Sequence, residues 1–155
     1  MFRIFALAGM SVSLAAPALA QDVVESEQES FTVETLAEGL AFPWSIAFLP
    51  SGEMLVSERD GAMRVLTGQG LRQAPVAGLP GDLVAERQGG LMDIAVAPDF
   101  ADTRHVYFSY SEGTAAENRT VLARGRIAED LSSLSEVEDL FKVNFVKERG
   151  FHFGG

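Results

Sequence analysis

The sequence predicts an all-β fold: an incomplete β-propeller of about two blades plus the start of a third. Three observations predict it. From Phe31 onward, short apolar runs of strand length alternate with Gly, Pro and Asp turn residues. Asp60-Gly61 stands between two such runs, the composition of a tight hairpin. The run Ile46-Ala47-Phe48-Leu49-Pro50-Ser51-Gly52 returns in type and order as Ile94-Ala95-Val96-Ala97-Pro98-Asp99-Phe100, 48 residues later. That offset falls within the roughly 40 to 50 residues of a propeller blade.

The elements are expected in this order. Residues 1–20 read as a secretory signal peptide: Arg3, an apolar run from Ile4 to Leu14, then small residues ending in Ala18-Leu19-Ala20. The apolar run is too short to span a bilayer, so no membrane span is expected after cleavage, and the location is periplasmic or secreted. Residues 21–30 are an acidic, solvated lead-in, and residues 31–155 are the partial propeller domain. Within it, Phe31–Leu36 alternates like a strand, Ser45–Leu49 is a second, Met54–Glu58 a third, and Ala62–Leu66 returns from the Asp-Gly turn. Ile94–Val96, His105–Ser111 and Thr120–Ile127 repeat the set. Ala128–Phe141 carries Leu131, Leu134, Val137 and Leu140 at intervals of three, which fits either a short helix or an outer strand with a loop. Each unit leaves an apolar sheet face that must stack on a neighbour; a β-sandwich with two similar hairpins is the rival architecture.

A complete propeller needs on the order of 200 to 400 residues, and this chain has 155. The final segment, Phe151-His152-Phe153-Gly154-Gly155, reads as a blade entrance with no strand behind it, so a truncated piece is expected.

Composition narrows the chemistry. With 22 acidic against 12 basic residues and a formal charge of -10, there is no basic face for nucleic acid or anionic membranes. The absence of cysteine removes disulfides, thiolate nucleophiles and Cys-ligated zinc. Carboxylates, His, Gln, backbone groups or a borrowed cofactor must carry any reaction. Asn118-Arg119-Thr120 matches a glycosylation acceptor, a triplet too common to carry weight.

Three segments precede inner strands: Phe42-Pro43-Trp44-Ser45, Arg87-Gln88-Gly89-Gly90-Leu91 and the final Phe151–Gly155. Inner strands line a propeller's central channel, so these segments converge on one axial pocket. Trp44, Gln88 and His152 are the candidate site residues. Each has a structural counterpart role: blade packing for the indole, a turn tie for the amide and burial for the imidazole. The Gly pair is expected to let backbone approach a ligand. Glu58-Arg59 flanks the Asp-Gly turn and reads as solvated, Asp99 as a turn former rather than a metal ligand, and His105 as structural.

Pro43-Trp44-Ser45-Ile46-Ala47-Phe48-Leu49-Pro50, Ser57-Glu58-Arg59-x-Gly61, Gln88-Gly89-Gly90-Leu91-Met92-Asp93-Ile94-Ala95-x-x-Pro98-Asp99-Phe100 and His152-Phe153-Gly154-Gly155 together resemble the soluble pyrroloquinoline quinone (PQQ)-dependent aldose sugar dehydrogenases, the glucose/sorbosone dehydrogenase family. The resemblance runs from about residue 33 to the last. It implies a six-bladed propeller that oxidises an aldose to its lactone by hydride transfer to PQQ and passes electrons to an external acceptor. It implies His152 as general base and cofactor contact, with Gln88 against cofactor and substrate; Trp44 is the further substrate-binding candidate. It also implies calcium, with ligands and basic cofactor contacts expected beyond residue 155. A non-catalytic propeller used as a binding module, or an inactive truncated product, are the alternatives.

Overall fold

A computed structural model describes residues 22–25, 27–144, 146, 148 and 150–154. The proposed signal peptide, residues 1–20, lies outside the described residues. The chain divides into two compact units at Thr35/Leu36. In the first, β1 (Asp22–Glu25) pairs antiparallel with β2 (Ser30–Val33). The acidic lead-in therefore contributes a strand. Val23-Val24 supplies β-branched residues between its charges, enough for a two-stranded ribbon.

The second unit contains two four-stranded antiparallel sheets of the same connectivity. One follows the order β3 (Pro43–Phe48), β4 (Met54–Glu58), β5 (Ala62–Thr67), β6 (Gly70–Leu71). The other runs through β7 (Leu91–Val96), β8 (His105–Gly113), β9 (Asn118–Ile127) and β10 (Leu134–Lys142), with the one-turn helix α1 (Phe100–Thr103) between β7 and β8. Each is a meander in which sequential strands are neighbours, as in a propeller blade. Asp99 begins α1, its carbonyl accepting the N–H groups of Asp102 and Thr103, which bears out its reading as a turn former.

One continuous core lies between the sheets. Leu55, Met63 and Val65 of the first blade meet Ile94, Val106, Phe108, Tyr110, Val121 and Ala123 of the second, all buried. Burying such side chains contributes roughly 1.5–3 kcal/mol each before chain entropy is charged against it. The inner strands are joined by polar groups as well. Fully buried Ser57 Oγ donates to the Met92 carbonyl at 2.5 Å and accepts the Ser45 N–H at 3.0 Å. Ser45 Oγ donates to Asp93 Oδ1 at 2.5 Å.

The segment Ala128–Phe141 resolves into a loop followed by β10. The three-residue spacing that admits a helix arises because two bulges, at Ser135/Glu138 and Asp139/Phe141, break the strand's period of two; Glu136 takes φ 51° there. β6, only two residues long, carries too short a pattern to be read from sequence. The long connection from β6 to β7 is anchored at two places on the second blade: Ala77 exchanges backbone hydrogen bonds with Ser132 and Leu134 at the start of β10, and Val84 N–H donates to the Ser111 carbonyl near the end of β8. It delivers residues 86–90 to the end of β8.

Candidate active site

Each of the three segments singled out in the sequence holds a non-glycine residue in the left-handed region: Phe42 at φ 49°, Arg87 at φ 54° and His152 at φ 59°. Such a backbone costs roughly 1–3 kcal/mol per residue and persists only where the surroundings impose it. Here those surroundings can be named.

Arg87 and Gln88 share a peptide group held at both polar ends. Arg59 Nη1 donates to the Arg87 carbonyl at 2.9 Å, and the Gln88 N–H donates to the Gly150 carbonyl at 3.0 Å. The Gln88 side chain then reaches the third segment: its Oε1 accepts the His152 N–H at 3.0 Å. Because that donor is a backbone N–H, the amide oxygen must face it, and the Nε2 hydrogens of the exposed side chain point elsewhere. One residue on, Thr120 Oγ1 donates to the Phe153 carbonyl at 2.7 Å. Guanidinium groups cover two aromatic rings at the same segments, Arg59 over Phe42 at 4.5 Å and Arg87 over Phe151 at 5.2 Å.

The two glycines between Gln88 and Leu91 serve a purpose other than the one expected from sequence. A Cβ at Gly89 would meet Ser111 Oγ at 2.6 Å and the Phe153 ring at 2.9 Å; at Gly90, where φ is 148°, it would meet the Arg59 carbonyl oxygen at 1.8 Å. The space beside them is filled by the protein itself. They let β4 and the Phe153 ring close on the second blade, rather than opening a path for a ligand.

Gln88 and His152 are thus brought together, and both are exposed. Trp44 stands apart from them. It alternates with Ser45 along β3, shares a face with Ile46 and Phe48, and lines a groove of about 340 Å³ with Leu40, Met54 and Val56, whose lining includes neither Gln88 nor His152. That face is open: Trp44 is 46% and Phe48 69% exposed. The far side of the second blade, with Leu122 and Phe141, is open as well.

Two residues at the hairpin that read as solvated in the sequence are held by the protein instead. Glu58 is only 4% exposed: its Oε1 accepts the Ala41 N–H at 2.7 Å and faces Arg64 Nη1 at 3.4 Å. The signal was present, since an Asp-Gly hairpin sets Glu58 and Arg64 diagonally on one face, with Glu58 opposite Ala62 and Val56 opposite Arg64. Arg59, read as solvated, touches two of the three segments.

At the same end of the second blade, Glu112 is buried between Arg119 Nε at 2.6 Å and Lys142 Nζ. The hydrogen bond from Lys142, joined by that from Arg119, holds its carboxyl below the usual glutamate value, while Lys142 is raised in return, chiefly by Glu112. Burial first, and then its hydrogen bond to Asp139 at 3.0 Å, pushes the Tyr110 phenol upward. Asn118 is buried, donating to the Thr114 carbonyl, and is no accessible glycosylation acceptor in this fold. Among the described residues no group of three or more His, Asp or Glu is placed to hold a metal ion, and no helix is long and apolar enough to cross a membrane.

Residues 40–155 match the Glucose / Sorbosone dehydrogenase family. The chain is 41% identical over 126 residues to the aldose sugar dehydrogenase YliI of Escherichia coli, covering 79% of this chain and 33% of that one. Among solved structures it is similar to a glucose dehydrogenase, with TM-score 0.74 and 39% identity over 79% of this chain and 36% of the other. It is also similar to the PQQ-bound form of an aldose sugar dehydrogenase from Streptomyces coelicolor, with TM-score 0.60 and 30% identity over 72% of this chain and 33% of that one. The chain spans about a third of the length of the curated relatives it matches.

Proposed function

Because this chain belongs to the glucose/sorbosone dehydrogenase family, we propose that it forms part of an exported, PQQ-dependent dehydrogenase that oxidises an aldose to its lactone. The observation that carries the reading is the hydrogen bond from the His152 N–H to Gln88 Oε1, which joins the two site residues across 64 positions of sequence. The apolar outer faces, with Trp44, Ile46 and Phe48 at one end and Leu122 and Phe141 at the other, support further blades stacking there to complete a ring.

The residues present fit the cofactor. PQQ is a planar quinone bearing several carboxylates, and the segments offer the Gln88 amide hydrogens and the Arg87 guanidinium, held over the Phe151 ring. Glu86 Oε1 faces the Arg87 guanidinium at 3.7 Å and offsets part of its charge, so further cationic groups are expected to join it in the complete site, in keeping with calcium and basic contacts contributed beyond residue 155. When bound, PQQ supplies the hydride acceptor.

The protein's own work is orientation and proton removal. In this reading an imidazole nitrogen of His152 takes the proton from the anomeric hydroxyl as the C–H bond at the same carbon is broken. Its backbone is fixed on both sides, by Gln88 at its N–H and by Thr120 at the next carbonyl, so the ring starts from a set position. The Gln88 Nε2 hydrogens donate to cofactor or sugar oxygens. Trp44, in its open groove, is proposed as a sugar contact only with a neighbouring blade in place. Electrons leave to an external acceptor.

The test is a titration of the intact protein with PQQ and calcium, followed by dye reduction with a panel of aldoses. PQQ uptake and sugar-dependent reduction are expected, with His152→Ala lowering turnover by about 10²- to 10⁴-fold at undiminished cofactor binding. No uptake and no reduction with any aldose would favour a non-catalytic propeller.

A further inference from the structure

We infer that Arg59 is a positioning residue for the Gln88 and His152 pair, an inference that rests on the proposed function. A single residue at the end of β4 fastens two blade segments to each other. Its N–H donates to the Phe42 carbonyl at 3.1 Å, and its guanidinium lies over the Phe42 ring at 4.5 Å. Its carbonyl accepts the Leu91 N–H at 3.1 Å, and its Nη1 donates to the Arg87 carbonyl at 2.9 Å. Nη2 faces Asp60 Oδ1 at 3.3 Å.

The bond to the Arg87 carbonyl carries the inference. Arg87 is left-handed at φ 54°, a backbone that an L-residue leaves when nothing holds it. The peptide between Arg87 and Gln88 has two handles, the carbonyl held by Arg59 and the N–H held by Gly150. Releasing the carbonyl lets that peptide rotate toward ordinary backbone, which re-aims the Gln88 side chain and withdraws its oxygen from the His152 N–H. Arg59 therefore acts on His152 at two removes without touching substrate or cofactor.

Arginine suits the task and lysine does not. A planar guanidinium lays its face on the Phe42 ring while an N–H in its plane points at the carbonyl; an ammonium is a point donor with no such edge and face. Arg87 repeats the device over Phe151, so the contacts Phe42, Arg59, Arg87, Phe151 run through all three segments.

The experiment compares Arg59→Met, Arg59→Lys and Asp60→Asn in the intact protein. One measurement is amide hydrogen exchange at Gln88 and His152 without cofactor; the other is steady-state kinetics with PQQ and an aldose. Both Arg59 variants are expected to raise exchange at the two amides about tenfold or more while the central amides of β4 and β8 keep their protection. They should lower turnover by about 10- to 100-fold, the loss falling more on kcat than on KM. Asp60→Asn, which removes only the ion pair, should stay near wild type in every reading.

Unchanged exchange at both amides in Arg59→Met overturns the inference. So does protection lost equally across β4 and β8, which reduces Arg59 to general support, or an Asp60→Asn variant that reproduces the defect, which makes the effect one of charge. If the wild type oxidises no aldose with PQQ bound, the proposed function fails, while the exchange measurements still decide whether Arg59 holds the pair.

Discussion

Gln88 Oε1 accepts a hydrogen bond from the His152 N–H at 3.0 Å. The contact makes one side chain the gauge of another residue's backbone. His152 sits at φ 59°, and the amide oxygen is the partner that favours the N–H direction this conformation presents. Gln88→Ala and Gln88→Glu separate the two halves of the amide. Glutamate keeps an oxygen for the His152 N–H and loses the outward donors; alanine loses both. Both variants should lose turnover, about 10-fold or more, but only alanine should speed amide exchange at His152. Equal exchange in the two would show that the oxygen does not hold the backbone.

Gly90→Ala should be among the most damaging single changes outside the core. Its Cβ would sit 1.8 Å from the Arg59 carbonyl oxygen, a backbone atom with no rotamer to escape through, at a φ of 148°. A loss of about 2–4 kcal/mol is expected, read as a lowered denaturation midpoint. Gly68→Ala, with no atom within 4 Å of the added carbon and no left-handed backbone to keep, is the matched control and should change stability little.

Ser57→Ala tests the joint between blades. The hydroxyl is fully buried and serves both the Met92 carbonyl and the Ser45 N–H, so alanine leaves two backbone groups of adjacent inner strands without it. The expected cost is about 1–3 kcal/mol, measurable by urea denaturation. A change below about 0.5 kcal/mol would mean the Ser57 hydroxyl does not hold the joint.

Glu112 predicts a direction for acid sensitivity. Its folded carboxyl is held below the ordinary 4.5, first by the hydrogen bond from Lys142 and then by Arg119. A lowered carboxyl stabilises the fold fully above its unfolded value, and that contribution fades as pH falls through the folded value. Stability should therefore drop as pH is lowered below about 4.5, and Glu112→Gln should flatten that drop while weakening the fold near neutral pH. A Gln variant with the wild-type slope would remove Glu112 from the acid response.

Strands whose pattern stayed regular were readable in sequence, and the exceptions have physical causes. Met54–Glu58 was legible because an Asp-Gly turn fixed its end. β10 was not, because its bulges rephase the side chains. Gln88 and His152 announced themselves as polar residues beside glycines, yet their contact joins a side chain to a backbone N–H and leaves no residue-type signature. Arg59 was hidden for a similar reason: a charge beside a turn usually meets water, and only the tertiary arrangement placed a carbonyl and a ring within its reach. The glycine pair was noticed for the right geometric reason and assigned the wrong neighbour.

Ser45 and Asp93 occupy the same slot in successive repeats, 48 residues apart, and bond to each other at 2.5 Å. The seam is therefore a hook and an eye, a hydroxyl on one side and a carboxylate on the other. Two copies of the first sector would set hook against hook, and two of the second would set like charges face to face. The sectors are not interchangeable bricks: the seam asks that each have an unlike neighbour.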